Sequence, residues 1–341
     1  MVRKPHAADL VSGTRSEAAA ALICLMGPTG AGKTALALAL AARYPVEIVS
    51  VDSALVYRGL DVGAAKPPVP VLRRVRHHLI DVCDPAATYS AARFREEALV
   101  AVADIRARGR IPLLVGGTGL YFRALGEGLA ALPAGDPNVR AELERERETL
   151  GLAALHARLA VLDPESAAQI HPHDPQRILR ALEIHRLSGR PRSALFLEAA
   201  SRALRLTKFV IAPTDRGELH AVIARRFHTM LRRGFINEVA MLRRRADLGL
   251  HRPALRAVGY QQVWRHLEGE YGREGMIAQA IAATRQLAKR QYTWFRGESG
   301  AIWLEAGAHA TIDHVSRALE TQQIVTKRDY NDHLNESRLD G

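Results

Sequence analysis

The chain has 341 residues, 48% hydrophobic and 25% charged, and a formal net charge of +12 that comes mostly from arginine. That balance fits a globular chain with room for one large domain or for a core with an inserted subdomain. No apolar run approaches the ~18 residues of a membrane helix, and Met1 to Glu17 lacks the apolar region of a secretory signal, so neither a transmembrane helix nor a secretory signal is expected, and a cytoplasmic location is.

The first ordered element is expected at Ala21-Leu22-Ile23-Cys24-Leu25-Met26, a short apolar run that reads as a buried parallel strand. It runs into Gly27-Pro28-Thr29-Gly30-Ala31-Gly32-Lys33-Thr34, which fits G-x-x-x-x-G-K-[ST] at every fixed position. Ala35 to Arg43 is rich in helix formers. Strand, glycine loop and helix in that order make an anion site. Backbone N–H groups and the positive helix end face a phosphate, Lys33 adds a point charge, and the Thr34 hydroxyl can reach Mg2+.

Val46 to Val51 reads as a second strand that ends directly in Asp52. His77 to Val82 suggests a short third strand, and Ser90 to Arg108 a helix with Ser90 as N-cap and Gly109 as its stop. Ile111 to Val115 is a strand leading to a second glycine-rich loop, Gly116-Gly117-Thr118-Gly119. Alternating strands and helices predict an α/β fold, a P-loop NTPase-like parallel sheet flanked by helices. From Asp136-Pro137 to Arg205 the character is almost all helical, punctuated by Asp163-Pro164, His171-Pro172 and Asp174-Pro175, which reads as an inserted all-helical subdomain. Strand character returns at Lys208 to Ala212. Helices are expected over Gly217–Arg233, Phe235–Arg245, Leu255–Leu267 and Arg273–Arg296, with a last edge strand at Ala301–Leu304. The expected division is a disordered extension over 1–20, core over 21–135, helical insertion over 136–206, core completion with basic helices over 207–305, and a tail over 306–341 that is loose from about Thr321.

Cys24 and Cys83 stand far apart and read as packed thiols of a reducing compartment, and no C-x-x-C or H-E-x-x-H pattern asks for zinc. P-loop ATPases carry an acidic residue at a strand end that helps hold Mg2+. Here Leu113-Leu114-Val115 ends in Gly116-Gly117-Thr118, and the carboxylate instead follows the neighbouring strand, at Asp52. Strand carboxyl ends line the ligand crevice, so Asp52 should face Lys33 and suits a general base; the competing roles are a turn cap or a water-mediated Mg2+ ligand. Thr118 can donate to a leaving oxygen, or its Gly-Gly-Thr can be an ordinary tight turn. In the C-terminal third, Arg285, Lys289 and Arg290 share a basic helical surface suited to nucleic-acid phosphates, while Trp294 and Phe295 suit the core.

Taken in order, these motifs resemble one family. They are Gly27-Pro28-Thr29 with Gly32-Lys33-Thr34, Val51 to Tyr57, Gly63 with Ala65-Lys66-Pro67, Tyr89 to Phe94, Val115 to Tyr121, His171-Pro172 with Asp174 to Arg177, Arg226-Phe227, Val258 to Gln261 and Thr284 to Gln291. Together they are similar to the bacterial tRNA dimethylallyltransferases, over roughly Leu22 to Leu304. Gly30-Ala31 stands where the family commonly has Ala-Ser, and both pairs are small.

The resemblance implies transfer of a dimethylallyl group from dimethylallyl diphosphate to N6 of adenosine 37 in the tRNA anticodon loop, with Mg2+ as cofactor and a monomeric enzyme. Gly27, Pro28, Thr29, Gly30, Ala31, Gly32, Lys33 and Thr34 would hold the diphosphate, with Thr34 on the metal. Asp52 would be the base, Arg226 rather than Arg225 would neutralise the leaving group, and Thr118 would lie near the bridging oxygen. The anticodon stem-loop would meet Asp52, Ser53, Ala54, Leu55, Thr118, Arg140, then Gln176, Arg177, Ile178, Leu179, Arg180, then Arg256, Ala257, Val258, Gly259, Tyr260, Gln261, and finally Thr284, Arg285, Gln286, Leu287, Ala288, Lys289, Arg290 and Gln291. The alternative is a small-molecule P-loop kinase using ATP.

Overall fold

The structure, a computed structural model, describes residues 21–128, 132–133, 135–199 and 204–322. The extension expected over 1–20 lies outside these residues. Six parallel strands form one sheet: β1 (Leu22–Met26), β2 (Val46–Val51), β3 (His77–His78), β4 (Ile111–Gly116), β5 (Leu206–Ala212) and β6 (Ile302–Glu305), in the order β3-β2-β4-β1-β5-β6. Parallel strands need crossovers, and helices supply them: α1 (Lys33–Ala41), α2 (Val69–Arg74) and α3 (Ala91–Ala107). Every residue of β1 and β2 is buried, as strands covered on both faces require. Ile23, Leu25, Ile48, Leu113, Phe209 and Ile211 meet Ala37 and Leu40 of α1 in one core.

Three expectations change in detail. The third strand stops at His78, because Leu79 and Asp81 turn to positive φ (62° and 59°) and the Asp81 N–H is drawn to the Leu55 carbonyl at 3.1 Å. The expected helix over Leu255–Leu267 is a 3-10 turn, Pro253–Arg256, followed by a helix from Tyr260. Residues 309–322, assigned to the tail, are helical, and Val315 and Leu319 enter the main core, which is what orders them. The tail beyond 322 lies outside the described residues.

The chain divides into two compact units, Met1–Phe122 with Arg205–Gly341, and Arg123–Leu204. The helix α4 (Gly119–Gly126) follows β4. The second unit holds α5 (Pro137–Leu150), α6 (Leu152–Leu162), α7 (Pro164–Gln169), α8 (Pro175–Ser188) and α9 (Arg192–Ala199). Its Asp-Pro pairs start helices: Asp136, Asp163 and Asp174 each cap backbone N–H groups of the first turn, with the proline at the position that needs no donor. Leu143, Leu155, Leu159, Ile170, Ile178 and Leu182 build its own core.

The first unit is completed by α10 (Arg216–Arg232), α11 (Phe235–Arg243), α12 (Tyr260–Leu267) and α13 (Arg273–Arg296). Cys24 and Cys83 are free and buried. No helix among the described residues is long and apolar enough to cross a membrane.

Candidate active site

The register of the sheet brings the strand ends together. Met26 of β1 and Val51 of β2 both pair with Gly116 of β4, so Gly27, Asp52 and Gly117 leave the same edge side by side. This is where an open parallel sheet forms its ligand crevice. At the first of these exits, Gly32 takes φ 81° and caps α1, so the loop can close over its own backbone. The Lys33 ammonium donates to the carbonyls of Gly27 (2.8 Å) and Pro28 (2.7 Å). Burial pushes its pKa down to about 8; the Asp52 carboxylate opposes that shift and the Arg226 guanidinium adds to it. Thr34 is exposed, and its hydroxyl has no hydrogen-bond partner among the described residues.

Asp52 follows β2. Its Oδ1 accepts from the N–H groups of Ala54 (2.8 Å) and Leu55 (3.3 Å), so the turn-capping role weighed for this residue is filled by one oxygen. Oδ2 has no partner among the described residues and remains free to accept a proton. Thr118 sits beside it: Thr118 Oγ1 accepts from the Ser53 N–H at 3.0 Å, and the Thr118 N–H donates to the Val51 carbonyl at 3.2 Å. No carboxylate follows β4.

Arg226 comes from α10. Leu219, Ile223 and Arg226 are spaced by four and three, so they share one helix face. Leu219 and Ile223 are buried, and a Cβ at Gly30 would stand 3.2 Å from the Leu219 side chain, so this face lies on the P-loop. Burial lowers the proton affinity of Arg226 and the Asp52 carboxylate raises it, while guanidinium stays charged throughout. Arg225 is exposed and is not among the groups that shift Lys33. Two cations and one carboxylate thus converge on one crevice.

Four further polar side chains brace the loops of this unit, and sequence reasoning missed their roles. Gln291 of α13 accepts the Thr29 N–H on Oε1 (2.9 Å) and donates from Nε2 to the Gly117 carbonyl (2.9 Å). Glu238 of α11 accepts the N–H groups of Asp61 (3.1 Å), Val62 (2.6 Å) and Gly63 (3.1 Å), together with the Tyr260 hydroxyl (2.6 Å). Tyr260 in turn accepts from the Ala64 N–H at 3.1 Å. The buried Lys66 donates to Asp61 and Asp81, both at 2.5 Å. Asp61, Val62 and Gly63 therefore form a nest of backbone donors filled by a carboxylate of the protein itself. The available signal was a Gln at the apolar face of α13, between Ala288 and Phe295, where a polar group must find partners.

Residues 55–298 match the IPP transferase family. The tRNA dimethylallyltransferase of Alkalilimnicola ehrlichii is 57% identical over 285 residues, covering 83% of this chain and 90% of that protein. The chain belongs to the IPP transferase family. Among solved structures, the tRNA isopentenylpyrophosphate transferase of Bacillus halodurans aligns with TM-score 0.65 and 33% identity over 92% of this chain and 99% of that one. A eukaryotic dimethylallyltransferase acting on tRNA aligns with TM-score 0.72 and 25% identity, covering 92% of this chain and 79% of that one. The match sets the small-molecule kinase alternative aside.

The structure separates the residues that the family resemblance assigned to RNA. Arg285, Gln286, Lys289 and Arg290 form an exposed face of α13, and none of these cations has an ion pair among the described residues. On the opposite face, Ala288 is buried and Gln291 is engaged with the two glycine loops. Arg256 is exposed, Ala257, Val258 and Gln261 are half-buried, and Tyr260 is buried with its hydroxyl on Glu238. In the second unit Ile178 is fully buried, so its side chain belongs to the core rather than to a ligand surface. Arg140 and Arg180 both donate to the buried Glu183, at 2.9 and 2.6 Å. Gln176 is exposed and Arg177 projects into solvent, while Leu179 is partly buried against the core of this unit.

Proposed function

We propose that the protein transfers the dimethylallyl group from dimethylallyl diphosphate to N6 of adenosine 37 in tRNA and releases diphosphate. The observation that carries this reading is the meeting of Lys33, Arg226 and the free Oδ2 of Asp52 at one strand edge. The bond that breaks joins the allylic carbon to a diphosphate oxygen. Lys33 and Arg226 face the charge that grows there, in a site partly closed to water. An exocyclic adenine amine is a weak nucleophile, and Asp52 Oδ2 takes its proton as the new carbon–nitrogen bond forms. The two N–H donors on Oδ1 fix the carboxylate so that Oδ2 is the acceptor. The Thr118 hydroxyl, already held by Ser53, donates to the departing oxygen. The target base must leave its stack to reach this crevice, and the exposed cations of α13 grip the phosphates of the loop that presents it.

Mg2+ fits the donor set at Thr34. The hydroxyl there is exposed and unpartnered, and no group of three or more His, Cys, Asp or Glu among the described residues forms a cage. An ion at Thr34 would share its shell with donor oxygens and water, and would supply further charge neutralisation. The enzyme acts in the cytoplasm as a monomer.

Labelled dimethylallyl diphosphate and unmodified tRNA test this reading directly. Label should enter tRNA; ADP formation from ATP with no label in tRNA would overturn it. Asp52→Ala should lower kcat by about a hundredfold or more, the usual contribution of a positioned base, while tRNA stays bound. Near-full turnover in that variant would remove Asp52 from the base role.

A further inference from the structure

We infer that Gln291 is a positioning residue for the transfer reaction, a strut that fixes the P-loop against the Thr118 loop, and not a tRNA contact. The inference rests on the proposed reaction for its kinetic consequence but on geometry for its existence. Gln291 bridges two backbones that are far apart in sequence and adjacent in the crevice. Its carbonyl oxygen accepts the Thr29 N–H at 2.9 Å and its amide nitrogen donates to the Gly117 carbonyl at 2.9 Å. One partner is a donor and the other an acceptor, so only one orientation of the amide satisfies both, and only an amide does so with both atoms.

The rest of α13 supports this seat. Thr284, Ala288, Gln291 and Phe295 are spaced by four, three and four, and Ala288 and Phe295 are buried. Gln291 therefore belongs to the inward face, while Arg285, Lys289 and Arg290 belong to the outward one. The loop that receives the helix has no room for a side chain. A Cβ at Gly117 would stand 2.5 Å from Gln291 Nε2, and one at Gly119 would stand 2.2 Å from the ring of Trp294, three residues further along α13.

The consequence concerns the phosphate site. Thr29 lies in the loop whose backbone must stay open around a diphosphate, and Gly117 precedes Thr118, the donor that the proposed reaction assigns to the departing oxygen. Without the strut both loops keep their sequences but lose their fixed separation. Their backbone N–H and hydroxyl groups then have to be ordered by the ligand at the moment of binding, which weakens both diphosphate affinity and turnover.

The test uses the full chain with Gln291→Met, which keeps length and bulk but has no hydrogen-bonding amide, and Gln291→Glu, which keeps the acceptor and puts an oxygen against the Gly117 carbonyl. Calorimetry reads inorganic diphosphate binding, filter retention reads tRNA binding, and steady-state assays separate kcat from KM. Hydrogen exchange follows the peptide that contains Thr29. Both variants should bind diphosphate about tenfold more weakly, through two lost hydrogen bonds in Gln291→Met and one lost bond with oxygen–oxygen repulsion in Gln291→Glu, and show a lower kcat with unchanged tRNA affinity. In Gln291→Met, the Thr29 amide should exchange faster. Weakened tRNA binding with wild-type diphosphate affinity, or wild-type values throughout, would overturn the proposal. The diphosphate and exchange arms need neither prenyl donor nor tRNA. A wild-type enzyme without transfer activity would therefore count against the reaction and not against the strut.

Discussion

Two glycine-rich loops leave the same edge of the sheet, and their glycines answer different demands. In the first, Gly32 takes φ 81°, and nothing lies within 4 Å of where its Cβ would point. The backbone needs glycine there, and the space beyond is open. In the second, neither Gly117 nor Gly119 has a positive φ, and the place of each Cβ is already filled by Gln291 or Trp294 of α13. There the packing of a helix needs glycine. The same residue type serves an open positive-φ turn at Gly32 and close helix packing at Gly117 and Gly119, so a glycine-rich loop at a strand end is not by itself a sign of ligand contact.

This contrast breaks most visibly at Gly119. Gly119→Ala drives a methyl group into the Trp294 ring, and overpacking of that kind costs about 2–3 kcal/mol. The measured outcome should be a melting temperature lower by about 5 °C or more, with kcat falling as α13 shifts. An unchanged melting temperature would mean that α13 does not sit on this loop. Gly32→Ala should act in the opposite way. Forcing an alanine to positive φ costs about 1 kcal/mol, so the fold survives with a small drop in melting temperature. The methyl group then occupies ligand space, and diphosphate affinity should fall more than stability does. Equal losses in both loops would erase the distinction.

The first loop also carries a titration that the second lacks. Burial holds Lys33 at about 8 in the free protein, and an arriving diphosphate favours its charged form. The sign follows directly. Below pH 8 the ammonium is already charged and affinity is full; above it, binding must take up a proton. Affinity should therefore fall by about tenfold for each pH unit beyond 8 until the pKa of the complex is reached. Calorimetry at pH 9 in buffers of different ionisation enthalpy should record that uptake, and Lys33→Met should abolish it. A flat profile from pH 7 to 9 would show that Lys33 does not titrate in this range.

How much of this was legible in the sequence depends on the range of the interaction. Gly27 to Thr34 could be read because strand, loop and helix are contiguous. Asp52 could be read because it directly follows an apolar strand, whereas Thr118, in the glycine loop after β4, left an ordinary tight turn open, and its role, like that of Arg226, came with the family motif. The strand that stopped at His78 and the helix over 309–322 could not be read as easily. The first is cut short by the bond from Asp81 to Leu55, and the second is ordered by Val315 and Leu319 meeting the main core. The roles of Glu238 and Gln291 were out of reach for the same reason. A Gln 262 residues from its partner leaves no local pattern beyond its place on an apolar face. Assigning whole runs such as Gln176 to Arg180 or Thr284 to Gln291 to a ligand also ignored the helical period, which turns Ile178 and Ala288 inward.

The smallest effect expected lies on the outward face of α13, and it separates that face from the inward one. Arg285 is exposed, with no ion pair among the described residues, so Arg285→Ala removes no internal contact and should leave the melting temperature and diphosphate affinity unchanged. If it meets a tRNA phosphate, tRNA affinity falls by a few fold at physiological salt, and the slope of log K against log salt becomes shallower by about one counterion. Binding measured from low to high salt reads that slope. A variant with the wild-type slope would take Arg285 off the RNA surface. A variant with weakened diphosphate binding would mean that the two faces of α13 are not independent, since a change at the outward cations would then be felt at Thr29 and Gly117 through the helix between them.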